Sequence, residues 1–272
     1  MKKDLEFRDK TAVITGAGSG IGRALAEGLA TRGCHLALAD INTENLAATA
    51  AALAGTGVRI STHALDVTSR EQVAALPAQV LGQHHAVDLL FNNAGVAILG
   101  SFIETPAADY DWLFEVNFHG VVRMTRAFLP LLLQRSDAHI VNIASIFSII
   151  APAGQSHYAA SKFAVRGFSD ALRHELEGSS VGVTAVCPGG VATAIAGNAR
   201  FSPSITTATA AEQLRRANQL LRLPPAEAAR LTLEGVARRK PRILVGRDAK
   251  AARLLEWLMP TSYWRLARRL VT

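Results

Sequence analysis

Thr11-Ala12-Val13-Ile14-Thr15-Gly16-Ala17-Gly18-Ser19-Gly20-Ile21-Gly22 decides the fold, because a short apolar run stops at a glycine-rich turn that leads into an alanine- and leucine-rich stretch. The pattern predicts strand, tight turn and helix across residues 11–31. Glycines allow positive φ angles and let a ligand lie against bare backbone. The helix start beyond them offers unpaired N–H groups and a partial positive charge, which suits a pyrophosphate. The general dinucleotide fingerprint G-x-G-x-x-G does not fit from Gly16, since its third glycine would fall on Ile21. The spacing present is G-x-x-x-G-x-G, through Gly16, Gly20 and Gly22. Taken alone, the stretch also admits a plain structural turn.

A chain of 272 residues suits one α/β domain. Hydrophobic residues make up 49% and charged residues 19%, without low-complexity blocks or repeats, which favours a globular enzyme-like chain. Cys34 and Cys187 sit in apolar runs and read as small buried hydrophobes, so no disulfide framework is implied. The opening residues, Met1-Lys2-Lys3-Asp4-Leu5-Glu6, are charged, and no run of about 18 apolar residues occurs. A signal peptide and a membrane span are therefore not expected, and a cytoplasmic location is. The net charge of +7 is local: from Arg238 onward ten Lys/Arg stand against two Asp/Glu, which leaves the rest near neutral.

Apolar runs at 35–40, 59–65, 87–91, 139–143, 181–187 and 242–245 alternate with helical patterns. Such alternation predicts a doubly wound parallel sheet of about seven strands, with ligands bound beyond the carboxyl ends of the strands. Residues just after each run therefore matter most. Asp40 ends the second run 20 residues beyond Gly20, where an acid can accept hydrogen bonds from adenosine ribose hydroxyls and repel a 2′-phosphate. That predicts NAD(H) over NADP(H); a cap on the helix beginning near Thr43 is the alternative. Asp66-Val67-Thr68 closes the third strand, where Asp66 could equally cap the next helix. Asn92-Asn93-Ala94-Gly95 closes the fourth, with small and amide residues that allow close approach. Two long helical stretches follow over 109–134, and Asn117 is a polar residue among their apolar ones. After the fifth strand comes Ser145, and thirteen residues later Tyr158-Ala159-Ala160-Ser161-Lys162. Tyr158 and Lys162, at i and i+4, share a helix face, where a fixed cation favours the phenolate over an ordinary tyrosine with a pKa of about 10.

Thr-Gly-x-x-x-Gly-x-Gly, Asn-Asn-Ala-Gly, Asn117, Ser145 and Tyr158-x-x-x-Lys162, in that order, resemble the short-chain dehydrogenase/reductase family over about residues 5–246. The resemblance implies a Rossmann-type α/β fold and an NAD(P)-dependent oxidoreductase that interconverts a secondary alcohol and a ketone by hydride transfer. By carry-over Tyr158 is the general acid/base, Lys162 lowers its pKa and binds the nicotinamide ribose, Ser145 positions the substrate oxygen, and Asn117 anchors a proton relay. Cofactor contacts are expected at Gly16, Ser19, Gly20, Ile21, Asp40, Asp66, Val67, Asn93, Ala94, Gly95, Tyr158 and Lys162. Pro188-Gly189-Gly190-Val191-Ala192-Thr193 resembles the family's turn along the nicotinamide carboxamide, with Pro188, Gly189, Val191 and Thr193 as contacts; any tight turn would also use such residues. Residues 194–223 are the expected substrate lid, no metal is implied, and the family commonly forms dimers and tetramers. A nucleotide-binding regulator without turnover, and a sugar-nucleotide epimerase or dehydratase, are the rival readings. The intact Ser145, Tyr158 and Lys162 oppose the first, and the glycine spacing and chain length oppose the second.

Residues 247–272 form a separate basic tail in which Leu254, Leu255, Trp257, Leu258, Met259, Tyr263, Trp264, Leu266 and Leu270 interleave with Arg253, Arg265, Arg268 and Arg269. A basic amphipathic helix suits an anionic membrane surface, but packing against the domain or a second subunit explains the pattern equally. No nucleic-acid motif accompanies the charge, so nucleic acid is not an expected partner. Ile146, Phe147, Ala151, Gln155 and Val191 are expected to border the substrate. They are mostly apolar, which predicts a small apolar alcohol or ketone, steroid-, retinoid- or acyl-like.

Overall fold

The computed structural model describes residues 4–202 and 207–271. Residues 203–206 of the expected lid lie outside it, as do the side chains of Arg269 and Leu270 in the tail. The chain runs β1 (Thr11–Thr15), α1 (Gly20–Ala30), β2 (His35–Asp40), α2 (Thr43–Ala52), β3 (Ile60–Ala64), α3 (Arg70–Leu81), β4 (Leu89–Asn92) and β5 (Ile98–Leu99). It continues through α4 (Ala107–Phe114), α5 (Gly120–Leu133), β6 (Ala138–Ile143), α6 (Ser156–Glu175), β7 (Val181–Pro188), β8 (Arg200–Phe201) and α7 (Thr207–Leu220). The last elements are α8 (Pro225–Ala237), β9 (Arg242–Val245), α9 (Arg247–Leu258) and α10 (Trp264–Val271).

Seven strands pair in parallel in the order β3-β2-β1-β4-β6-β7-β9. The order reverses between β1 and β4, where Ala12, Val13 and Ile14 face Leu89, Leu90 and Phe91. A crevice opens at such a reversal, and ligands of open α/β sheets bind there. Alternation along β1 separates two cores: Ala12 and Ile14 join Leu25 and Leu29 of α1 and Leu233 and Val236 of α8. Val13 turns to the opposite face, against Val73 and Leu76 of α3, Met124 and Phe128 of α5 and Leu172 of α6. A buried polar ladder crosses the sheet, with Asn92 Nδ2 donating to Asn142 Oδ1 at 2.8 Å and Asn142 Nδ2 to Ser169 Oγ at 2.9 Å.

Two features differ from the sequence expectation. The stretch 109–134 is not two long helices: an eight-residue α4 and a fourteen-residue α5 are joined by a π-helical turn, Glu115–His119, at whose centre Asn117 is buried. In the expected lid, β8 pairs in parallel with β5, and Arg200 holds this two-stranded ribbon down. Its guanidinium stacks 3.5 Å from the Trp112 ring centroid and bonds Asp109 at 2.6 Å.

At the sheet edge, the Ser61 hydroxyl is shared by His63 Nε2 at 2.8 Å and His84 Nε2 at 2.9 Å, all three residues being buried. Burial, helped by Arg59 and neighbouring histidines, pushes His84 down to about 4, and burial lowers His63 too. The unfolded chain takes up the His84 proton near pH 6.5 but the folded chain does so only near 4, so acidification through that window favours unfolding. We expect urea unfolding at a series of pH values to show up to about 3 kcal/mol lost from this source as the pH falls from about 6.5 to 4. His84→Gln should flatten the slope.

Candidate active site

The glycine-rich turn is built as a cradle. Ser19 occupies the N-cap position of α1, yet its side chain makes no capping bond and the first turn holds no acid. The N–H groups at this helix start are thus left without a protein anion. Gly16 adopts φ +65°, and a Cβ on Gly22 would fall 2.0 Å from the Gly16 carbonyl oxygen. Bare backbone is therefore required. The turn is fastened to the end of β4: Asn93 Nδ2 donates to the carbonyls of Thr15 (3.0 Å) and Gly16 (3.1 Å), while Thr15 Oγ1 accepts from the Asn93 and Ala94 amides. Thr15 is a residue whose part the sequence reading did not single out.

Asp40 leans into this cradle from the end of β2, where Oδ2 accepts from Gly18 N at 2.8 Å and Oδ1 from Asn42 N at 2.9 Å. It does not cap α2; Asn42 does, accepting from Asn45 N. Asp66 likewise forms a turn with Thr68, whose N–H and hydroxyl both bond Oδ1 at 2.8 Å, and Ser69 caps α3. Both carboxylates are half-buried beside the crevice. The Val67 side chain is buried against the Gly120 backbone, so any ligand contact from Val67 is left to its main chain. On the far side, Pro188 ends β7, and consecutive tight bonds run from Val191 N to Gly189 O and from Thr193 N to Val191 O. Thr193 reaches Gly20, where a Cβ would meet its Cγ2 at 3.0 Å, and a cavity of about 300 Å³ lies between Gly20, Arg23, Ala192, Thr193, Ala194 and Pro225. Bare backbone, an uncapped helix start and a carboxylate at the neighbouring strand end together fit a nicotinamide dinucleotide.

Next to the cradle, Gly95, Asn117 and Lys162 converge: a Cβ on Gly95 would lie 3.3 Å from Asn117 Oδ1 and 3.4 Å from Lys162 Nζ. The Asn117 side chain is fully occupied, with Oδ1 accepting from Val96 N (2.8 Å) and Nδ2 donating to Val96 O (3.0 Å) and Ser161 Oγ (3.3 Å). Buried Lys162 donates to the Ile143 carbonyl at 3.2 Å and stands 5.6 Å from the Tyr158 ring centroid. Tyr158 packs edge-on against Phe147, and buried Ser145 caps a short 3₁₀ turn by accepting from Phe147 N. Burial pushes Tyr158 up to about 12, opposed by its hydrogen bond with Ser145, and burial pushes Lys162 down to about 8. Burial of both groups thus opposes the lowering of the Tyr158 pKa expected from Lys162.

Of the expected pocket residues, Val191 is buried, Ile146, Phe147 and Gln155 are half-buried and Ala151 is exposed. A contact the sequence did not signal closes this border: the Ala151 amide donates to the Tyr263 hydroxyl at 2.8 Å, which ties the tail to the loop between Ser145 and Tyr158.

The sequence pattern of the short chain dehydrogenase family matches residues 10–202, which include the cradle, Asn117, Ser145, Tyr158 and Lys162. The chain belongs to the short-chain dehydrogenase/reductase family. It is 44% identical over 96% of its length to SadH of Mycobacterium tuberculosis, a protein named as an oxidoreductase, and spans 94% of that protein. Among solved structures, a short-chain dehydrogenase/reductase from Burkholderia phymatum in complex with NAD superposes with a TM-score of 0.87 at 38% identity, covering 94% of this chain and 95% of that one. An alcohol dehydrogenase from Thermococcus sibiricus, complexed with 5-hydroxy-NADP, superposes with a TM-score of 0.74 at 28% identity, covering 88% and 96%. Solved structures that share the fold thus include one in complex with NAD and one with 5-hydroxy-NADP, and the chain is an oxidoreductase of the short-chain dehydrogenase/reductase family.

Proposed function

We propose that the chain interconverts an apolar secondary alcohol and its ketone with NAD(H), preferred over NADP(H), and that Tyr158 moves the proton. The reading rests above all on the convergence of Gly95, Asn117 and Lys162 next to the Gly16–Gly22 cradle, with Ser145 and Tyr158 beside them. When bound, the nicotinamide supplies or takes up the hydride. Tyr158 gives its hydroxyl proton to the substrate oxygen in reduction and recovers it in oxidation. Ser145, already bonded to Tyr158, orients that oxygen at the end of β6. Lys162, fixed by the Ile143 carbonyl, holds the ribose and carries positive charge into the buried site. Asn117 acts through position, keeping the π turn fastened to the Val96 backbone so that main-chain groups there can hold a relay water. Gly16, Ser19, Gly20, Ile21, Asn93 and Ala94 would carry the pyrophosphate side, Asp66 and Val67 the adenine, and Pro188, Gly189, Val191 and Thr193 the carboxamide. Phe147, Ile146 and Val191 make the substrate wall apolar. Residues 194–223 cover it, with residues 1–246 as the catalytic body.

Tryptophan-to-nicotinamide energy transfer on titration with NADH and NADPH separately tests the cofactor, and a panel of apolar alcohols and ketones then tests the reaction. Failure to bind either nucleotide would remove the basis of the proposal. Asp40→Asn keeps an acceptor for the Gly18 amide but deletes the charge facing a 2′-phosphate. A hydrogen bond to a charged group contributes roughly 1.5–3 kcal/mol, so the ratio of NADH to NADPH affinity should fall at least about tenfold. An unchanged ratio would assign the preference to other groups.

A further inference from the structure

Because every strand of the large sheet is parallel, the chain leaves β9 at the same end of the sheet that carries the candidate active site. Helix α9 starts there and is held rigidly. Asp248 Oδ2 accepts from Gly190 N at 2.6 Å, Ala249 and Ala252 are buried, and the following turn supplies the Tyr263 hydroxyl to Ala151. The face turned away from these anchors carries Arg247, Lys250, Leu254, Trp257 and Leu258, at the 3- and 4-residue steps of one helix stripe, and all five are exposed. Leu254, Trp257 and Leu258 are 56%, 67% and 61% accessible, a cluster of large apolar side chains beside two cations. Helix α10 extends the same chemistry with exposed Arg265, Leu266 and Arg268. The acids of α9 are spent elsewhere, Asp248 on Gly190 and Glu256 on Arg253.

We propose that this face docks the protein on an anionic lipid bilayer, with Leu254, Trp257 and Leu258 entering the headgroup boundary and Arg247, Lys250 and Arg265 lying among the lipid phosphates. Indole and leucine side chains gain free energy by leaving water, and tryptophan settles at a membrane interface because one edge stays polar. Cations alongside add attraction to anionic headgroups, so apolar area and charge act together. A second copy of the chain fits the charge less well. A two-fold contact through this face gathers Arg247 and Lys250 of both copies into one interface, with no acid on the stripe to offset them. Docking in this sense leaves the mouth of the site, bordered by Ala151 and Gly190, tied directly to the membrane-bound helix.

The test is co-sedimentation of the full-length protein with vesicles of phosphatidylcholine alone and of phosphatidylcholine mixed with phosphatidylglycerol. Most of the protein should pellet with the mixed vesicles at low salt and little with phosphatidylcholine alone, and high salt should reduce the bound fraction. Trp257→Glu combined with Leu258→Glu should lower the partition coefficient by about tenfold or more, since two apolar anchors are replaced by charges that anionic headgroups repel. The unfolding midpoint and the mass by light scattering should stay unchanged, as both side chains are exposed. The proposal is overturned if mixed vesicles pellet no protein or if the double variant binds them as well as the parent. It is also overturned if the double variant changes the subunit number, which would assign the face to contact between copies.

Discussion

Replacing Tyr158 by phenylalanine should abolish turnover while leaving NADH affinity nearly intact. The substitution removes one hydroxyl and keeps the ring, which packs edge-on to Phe147 and stays beside Lys162. Cradle contacts run instead through Gly16, Asn93 and Thr15, none of which touches that hydroxyl. A positioned acid or base contributes roughly 10²–10⁴-fold, so kcat should fall by about three orders of magnitude in both directions of reaction. The protonation state adds a second reading of the same group. With its pKa pushed up to about 12, Tyr158 is a neutral phenol near neutrality, already in the form that donates a proton to a carbonyl. Alcohol oxidation needs the rarer phenolate, whose fraction grows tenfold with each unit of rising pH as long as the pH stays below the pKa. Oxidation should therefore climb with pH through the neutral range while reduction does not. Equal activity in the phenylalanine variant, measured in initial-rate assays beside NADH titrations, would sink the assignment.

The residues that carry chemistry are legible in the sequence, and the contacts that hold them are much less so. The central strands β1, β4 and β6 announce themselves as mostly apolar runs, since strands buried on both faces need little polar alternation. The π turn does not, because its fastening is a side-chain bond from Asn117 to Val96, 21 residues away, and helical periodicity does not register it. Strands β5 and β8 pair only two residues each, too few to show a period. Capping was misplaced by neighbouring polar residues: Asn42 and Ser69 do the work that spacing allows to Asp40 and Asp66, whose carboxylates bond the adjoining turns instead. The balance of charges around Tyr158 is equally hard to read from spacing. Spacing at i and i+4 brings Lys162 near Tyr158, but whether attraction or desolvation wins depends on burial, which is a property of the assembled core.

Gly22→Ala should disable the cradle more completely than any single loss of a hydrogen bond within it. The new Cβ would sit 2.0 Å from the Gly16 carbonyl oxygen and 2.5 Å from Asn93 Nδ2. Neither can move freely. Gly16 is held at φ +65° with Asn93 and Ala94 packed against it, and the Asn93 amide is committed to the Thr15 and Gly16 carbonyls. Relief requires α1 to withdraw from the turn, which opens the seam between β1 and β4 and displaces the N–H groups at the helix start. Overpacking of this kind costs about 1–3 kcal/mol, occasionally more, and contact with backbone oxygen places the variant at the upper end. NADH affinity should fall by more than about tenfold, because a 1.4 kcal/mol loss in cradle geometry already has that effect. Gly55→Ala is the matched control, since a Cβ there meets nothing within 4 Å. Urea unfolding and NADH titration of the two variants separate the outcomes: a Gly22→Ala protein that binds NADH like the parent would show that the nucleotide does not lie against this backbone.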